Sequence, residues 1–295
     1  MKSQNPSFSF TKIVVIESLE SHEVKTGEEL LPLLSTYVSG NDLRLSIEYK
    51  PIDSVVEFRS LMVKLRLEAI EKHEIPILHF ECHGSKSDGL EFANGSTLSW
   101  EDLSKELTKL NIATNFNLLV VFSACFGGYF LGEIKAISPA PCWGIVAPTH
   151  VIDPADAMSG FRIFYKVFLS TRDAGKAAAA LVKTPTSEGS WFAQLAQLWF
   201  ERIVMGYVKA YCTNAKVRIQ AKRLVRSLRD EGQRASIGHM TRILKQNNRT
   251  NLTEKYFEIF FCTTHVPSAV ERFEDVRKQI ESKLDELRKA GGYVI

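Results

Sequence analysis

The 295 residues suffice for one large domain or two smaller ones, and 45% hydrophobic with 24% charged residues is typical of a globular protein. The formal net charge of +3 indicates no particular class of partner. No uncharged apolar run approaches the roughly 20 residues that span a bilayer, since the best stretch, 191–212, contains Glu201, Arg202 and Lys209. The N-terminal MKSQNPSFSF lacks the apolar segment of a signal peptide. We therefore expect a soluble, cytoplasmic protein with no membrane contact.

The cysteines exclude two other classes of protein. There are five, an odd number, and none is in a CxxC or CxxH spacing. They predict neither a disulfide framework nor a zinc site, and reduced thiols are the simpler interpretation. We expect no metal and no organic cofactor. The five are Cys82, Cys125, Cys142, Cys212 and Cys262.

The first half of the chain alternates apolar runs with amphipathic stretches. Strands are predicted at 12–16, 43–49, 75–81, 117–123 and 142–147, and helices at 28–38, 55–72 and 100–110. Asn94-Gly95 indicates a hairpin within 89–98, and Ser99 is a candidate N-cap for the third helix. Such alternation predicts an α/β fold with three layers and a mostly parallel central sheet.

After about residue 153 we expect no further strands. Helices are predicted at 153–170, 171–183, 191–211, 216–229, 237–245 and 267–289. The predicted organisation is an α/β domain over 1–185 followed by a helical accessory module over 186–295.

The segment 209–250 carries eleven Lys or Arg against two acidic residues. Helical spacing places Arg218, Lys222, Arg226 and Arg229 on one face. Such a face is most often simply solvated, and an acidic protein partner is the next interpretation. Nucleic acid is possible but not favoured, because few aromatic residues interleave the basic ones.

Two predicted strands end in residues that can do chemistry together. One leads into His83-Gly84 and the other into Cys125, and the carboxyl ends of parallel strands lie along one edge of a sheet. A thiolate is a strong nucleophile, and an imidazole exchanges protons near neutral pH. Gly84 and the Cys125 amide are candidate oxyanion donors, and a helix after Cys125 would favour the thiolate.

These two motifs, His83-Gly84 and Ser123-Ala124-Cys125, each after an apolar strand, resemble those of the caspase-like (clan CD) cysteine peptidases, closest to the CHAT group. The stretches 151–153, 161–165 and 177–180 agree, so the resemblance covers roughly 10–185. It implies a caspase-hemoglobinase-like fold and a catalytic dyad of His83 and Cys125.

Substrate selection is left open by the sequence. Ser123 occupies the position where relatives contact the P1 side chain, the substrate residue before the cleaved bond, and it is small and neutral. Asp153, Asp88 and Asp156 are substrate-pocket candidates, although Asp153 could equally cap a helix. An acidic pocket would favour a basic P1 residue, and an apolar P1 is equally compatible. Glu81 could orient His83 or merely end its strand.

The resemblance implies a thiol protease that performs limited proteolysis of a specific protein. Relatives of the CHAT group act in bacterial antiviral defence, for example by activating a gasdermin-like pore former. The helical module would then bind a sensor or activator protein. Two alternatives remain: a non-catalytic interaction module that kept the fold, and a nucleic-acid-associated effector acting through 209–250.

Overall fold

A computed structural model describes residues 8–41, 43–133, 138–186 and 190–295. These residues form two compact units. The first contains the described residues up to 133 together with Ala140–Ala196, and the second contains Ser138, Pro139 and Gln197–Ile295. The first unit contains the sheet, and the second is helical.

The sheet of the first unit is mostly parallel, as predicted. Its order is β2-β1-β3-β6-β7-β8, in which only β8 runs antiparallel to its neighbour, and a β4–β5 hairpin extends from the end of β3. The strands are β1 Lys12–Ser18, β2 Ser46–Pro51, β3 Pro76–Ser85, β4 Gly89–Glu91, β5 Thr97–Leu98, β6 Leu119–Ser123, β7 Gly144–Pro148 and β8 Trp191–Leu195.

Helices cover both faces of this sheet, which confirms the three-layer α/β prediction. Side chains alternate along each strand, so Val15 packs with α1, α4 and α5 while Phe80 stacks towards the layer of α2 and α3. The helices are α1 Thr26–Gly40, α2 Val55–Lys72, α3 Trp100–Ala113, α4 Pro154–Thr171 and α5 Ala174–Val182. Ser99 caps α3, accepting the Asp102 N–H at 3.1 Å as expected.

The expectation that strands end before residue 153 is wrong, and so is the single helix over 191–211. Trp191–Leu195 forms β8, and α6 begins only at Ala196 and continues to Tyr211. The strand adds to the free edge of β7, and its Trp191 ring fills the space beside Gly160 of α4. Because the apolar run continues from the strand into the helix without a turn residue, its pattern hid the boundary.

The second unit is built from helix pairs. Val217, Ala221 and Val225 of α7 pack against Met240 and Leu244 of α8. The predicted final helix is interrupted at Phe273. Of the helices in the described chain, none combines the length and apolar character needed to cross a bilayer. Besides α6, the unit contains α7 Asn214–Asp230, α8 Ile237–Thr250, a π-helical turn Asn251–Lys255, α9 Tyr256–Phe260, α10 Ser268–Arg272 and α11 Glu274–Ala290.

Candidate active site at the carboxyl edge of the sheet

A cleft of about 370 Å³ opens where the parallel strands of the first unit end. Its walls come from the loop after β1, the ends of β3 and β6, and the start of α4. His83 from β3 and Cys125 from the turn after β6 both line it. Since β3 and β6 are neighbours, the fold brings the two residues into one cavity.

A tight turn presents Cys125 to this cleft. Phe126 has φ of 59°, a left-handed conformation, and its N–H donates to the His150 carbonyl at 3.1 Å. The Gly127 N–H donates back to Ala124 O at 3.1 Å. The chain continues into a short 3₁₀ helix, Gly127–Glu133.

Gly84 allows the backbones of the two motifs to approach each other closely. A Cβ at position 84 would lie 2.3 Å from the carbonyl oxygen of Cys125 and 3.3 Å from Ala124 Cβ, so no other residue fits there. Within the ranges that the structure describes, the Cys125 amide N–H donates to no backbone carbonyl. The two amides proposed as oxyanion donors therefore belong to adjacent stretches of chain.

His83 has a partner that the sequence did not indicate. Its Nε2 lies 2.7 Å from Glu23 Oε1, and Glu23 Oε2 accepts the Glu20 N–H at 2.6 Å. Burial raises the pKa of the Glu23 carboxyl, but the Glu20 amide and then His83 outweigh it, so the net pKa is lowered. The carboxylate form is thus favoured beside the imidazole, and Nε2 is the ring nitrogen that contacts it.

Glu81 is engaged elsewhere. It is only 2% exposed, and its carboxylate accepts the Thr26 hydroxyl at 2.8 Å and contacts His79 Nε2 at 2.7 Å. His79 Nδ1 lies 3.0 Å from the Tyr165 hydroxyl, so both ring nitrogens of this buried histidine have a partner. The hydrogen-bond partner of His83 is Glu23, and Glu81 belongs to the floor of the cleft.

The acidic pocket candidates lie outside the lining of the cleft. Asp153 accepts the Ala155 N–H at 2.8 Å and so caps α4. Asp88 accepts the hydroxyls of Ser85 and Ser87, both at 3.0 Å, in the turn before β4. Asp156, on the first turn of α4, does not line the cleft either, whereas Ser123 does. The carboxylates that do line it belong to Glu23 and Glu81.

The remaining cysteines differ from Cys125 in burial. All five lie in the described chain, and Cys125 is half-buried while the other four are buried. Burial raises the pKa of the Cys82 and Cys142 thiols, helped at Cys82 by the charge of Glu81. Burial likewise raises the pKa of Cys212 to about 11. Cys82 also lines the cleft, but its environment opposes a thiolate.

One group of carboxylates in the described chain has the spacing of a metal site. Glu48, Glu68 and Glu74 have oxygens within 4.8 Å of one another. All three accept from the buried Lys12 Nζ, at 3.0, 2.5 and 2.7 Å respectively. The ammonium group therefore takes the place that a cation would occupy, and the cluster fits an ion pair that fixes the start of β1.

Known proteins resemble this chain in backbone structure but not in sequence. No family model matches this chain. No curated protein matches its sequence. Among solved structures, the chain is similar to the Drosophila initiator caspase Dronc, with 11% identity and a TM-score of 0.47, over 66% of this chain and 85% of that one. Identity this low assigns no role to any residue of the chain.

Proposed function

We propose that this protein is a cysteine endopeptidase that performs limited proteolysis of a protein partner. The observation that carries the proposal is that Cys125 and His83, from neighbouring strands, line one cleft. The half-buried Cys125 is the accessible thiol, and His83 is half-exposed beside it. A nucleophile and a base that share a cavity are what acyl transfer requires.

The proposed reaction uses only this chain's residues and water. Cys125 gives its thiol proton to His83, and the resulting thiolate attacks the carbonyl carbon of the peptide bond. The Gly84 and Cys125 amides stabilise the oxyanion. His83 then protonates the leaving amine through Nδ1, because Nε2 is held by Glu23. A water molecule, deprotonated by His83, hydrolyses the acyl-enzyme and regenerates the thiol.

The His83-Gly84 and Ser123-Ala124-Cys125 motifs support the more specific part of the proposal. They resemble the caspase-like peptidases of the CHAT group, which suggests a substrate such as a gasdermin-like pore former in bacterial defence. We place the binding of a sensor or activator protein on the helical second unit. The mostly parallel sheet is compatible with this assignment, which depends on the motifs themselves.

The test is to co-express the protein with the proteins encoded beside it, as wild type and as Cys125→Ala. New N-termini are then identified by mass spectrometry. Cleavage of a neighbour should require Cys125 and survive Cys212→Ala, a matched removal of a buried thiol outside the cleft. Cleavage that persists in Cys125→Ala contradicts the proposal. A Cys125 that no peptide electrophile labels supports the alternative of a non-catalytic module.

A second candidate function is anion binding by α7. Its basic face, Arg218, Lys222, Arg226 and Arg229, forms no ion pair with any carboxylate in the described chain. Lysines on α3 of the first unit, by contrast, pair locally, as Lys105 does with Glu101 at 2.9 Å. An unneutralised stripe of this kind attracts nucleic-acid phosphates or an acidic protein.

Reversing three of these charges tests this candidate. The variant with Arg218, Lys222 and Arg226 changed to Glu should lose salt-sensitive retention on immobilised DNA or RNA. A control with the exposed Lys64, Lys105 and Lys109 changed to Glu has the same net charge. Equal retention of both variants would show that the α7 stripe does not bind nucleic acid.

A further inference from the structure

The floor of the cleft is polar and its side wall is apolar. Glu81 and Ser123 are register partners on β3 and β6, and both line the cleft together with Thr26. Apolar side chains from Ile152, just before α4, and from Pro154 and Ala157 in its first turn also line the cleft and form its side wall. A side chain that enters beside Cys125 would therefore meet hydrocarbon along its length and oxygen atoms at its end.

The charge of this cavity is negative. Glu23 and Glu81 line it, and among the described residues that line it none is Lys or Arg. Glu17 is the register partner of Glu81 on β1, is 3% exposed, and accepts the Gly27 N–H at 2.6 Å and the Tyr49 hydroxyl. Two buried carboxylates thus lie on adjacent strands, held by hydrogen bonds without a Lys or Arg partner in the described chain.

Glu81 retains the capacity to bind more donors. A carboxylate offers about four acceptor positions, and Glu81 uses one on each oxygen, towards Thr26 and His79. A buried carboxylate is costly unless it is paired with a cation or fully hydrogen-bonded. A cationic side chain from a substrate would supply both the counter-charge and the missing donors.

We propose that this cleft is the S1 subsite for a basic residue, Lys or Arg, with Glu81 as the specificity-determining carboxylate. The inference rests on the proposed peptidase function and names its substrate class. The aliphatic stem of the P1 residue lies against Ile152, Pro154 and Ala157, and its cationic end reaches the floor. A P1 Asp would add a further carboxylate beside Glu81, and an apolar P1 would bury Glu81 without a new donor.

The proposal can be tested with peptidyl acyloxymethyl ketones that differ only at P1, as Arg, Lys, Leu or Asp. The measured quantity is the second-order rate of Cys125 modification by intact mass, with iodoacetamide as a reference that has no P1 side chain. We expect the Arg and Lys probes to react at least about a hundredfold faster than the Leu and Asp probes. A charge-assisted hydrogen bond to a buried carboxylate, which both Arg and Lys can donate, supports that ratio.

Glu81→Gln should lower the rate with the Arg probe by about 30-fold or more and leave the Leu and iodoacetamide rates within about twofold. Because Glu81 is part of a buried hydrogen-bond network, the thermal unfolding of the Glu81→Gln variant is measured as well. If that variant does not fold, Ser123→Lys takes its place, since Ser123 is half-buried on the same floor and is the register partner of Glu81. A cation there should suppress Arg labelling and increase Asp labelling.

The outcomes separate the two proposals. Preferential reaction of the Leu or Asp probe overturns the basic S1 subsite and leaves the peptidase function intact. Basic preference that is unchanged in Glu81→Gln, or in Ser123→Lys where that variant replaces it, refutes the role of Glu81. Modification by iodoacetamide together with failure of every peptide probe contradicts the peptidase function itself, and the subsite with it.

Discussion

Replacing Glu23 by Gln tests whether this loop residue positions the proposed base. Glu23 contacts two groups at once, His83 Nε2 at 2.7 Å and the Glu20 N–H at 2.6 Å, one with each oxygen. A glutamine has the same shape but only one acceptor oxygen. It can satisfy either contact as an acceptor, but not both, and it carries no charge to favour the imidazolium form.

The size of the effect follows from the exposure of the pair. A hydrogen bond to a charged group contributes about 1.5–3 kcal/mol. The His83 side chain is 52% exposed and that of Glu23 is 24% exposed, so solvent screening places this pair at the lower end of the range. About 1.4 kcal/mol corresponds to a tenfold change in rate. We therefore expect roughly a tenfold slower reaction at Cys125.

The assay is the rate of Cys125 alkylation by iodoacetamide between pH 5 and pH 10. Loss of the neighbouring anion disfavours a thiolate–imidazolium pair, so the tenfold deficit should appear near pH 6. It should disappear above about pH 9, where a thiol ionises without help. Glu20→Gln, which removes an exposed charge from the same loop and keeps the backbone N–H, is the matched control and should react like wild type.

If Glu23→Gln shows the same pH dependence of Cys125 alkylation as wild type and Glu20→Gln, the positioning role of Glu23 is refuted. A uniform loss of rate at every pH would also refute it, because a general disturbance of the loop does not depend on protonation. Rescue at low pH by added acetate would not be expected from a structural defect and would support the role.

Two further predictions concern the packing of the first unit. Gly84→Ala should slow Cys125 alkylation by more than tenfold and destabilise the fold by about 1–3 kcal/mol, since its Cβ would lie 2.3 Å from the Cys125 carbonyl. Gly206→Ala is the control, because its added Cβ would have no atom within 4 Å, and it should not lower the temperature of thermal unfolding. Lys12→Met should cost about 3 kcal/mol at pH 7, because three carboxylates lose their shared cation. Burial raises the Glu48 pKa, but Lys50 and Lys12 outweigh it and lower the net value, so wild type loses this contribution as pH falls. Urea unfolding at about pH 3, below the ordinary pKa of a glutamate, should therefore show a smaller gap between the variant and wild type than at pH 7. A wider gap would contradict the ion-pair account.

The sequence predicted the parts of the site that belong to strands. Apolar runs gave β3 and β6, and their ends place His83 and Cys125 because parallel strands share one carboxyl edge. Strand alternation also put Glu81 on the face of His83, two residues before it. The position of Glu81 in the cleft was therefore encoded in the sequence, although its partners Thr26 and His79 were not.

The contact between Glu23 and His83 could not be read in the same way. Glu23 lies in an irregular loop between β1 and α1, where no periodicity assigns a direction to a side chain. The loop is closed by a side chain of its own, since Lys25 Nζ donates to the carbonyls of Leu19 at 2.5 Å and Glu20 at 2.8 Å. Only that closed conformation brings the Glu23 carboxylate across to β3.

The two buried carboxylates explain why this loop is held in place. Gly27, in the first turn of α1, donates its N–H to Glu17, and Thr26 donates its hydroxyl to Glu81. A Cβ at Gly27 would lie 2.8 Å from Glu17 Oε1, so the helix can approach the strands this closely only with glycine there. The positive end of the α1 dipole faces both charges. The start of α1 is thus fixed against β1 and β3. The loop that carries Glu23 is anchored at that end by Glu17 and by Glu81, and Glu81 also belongs to the floor of the cleft. A substitution that weakens this anchor, such as Gly27→Ala, would then impair both the position of Glu23 and the proposed selection of a basic side chain.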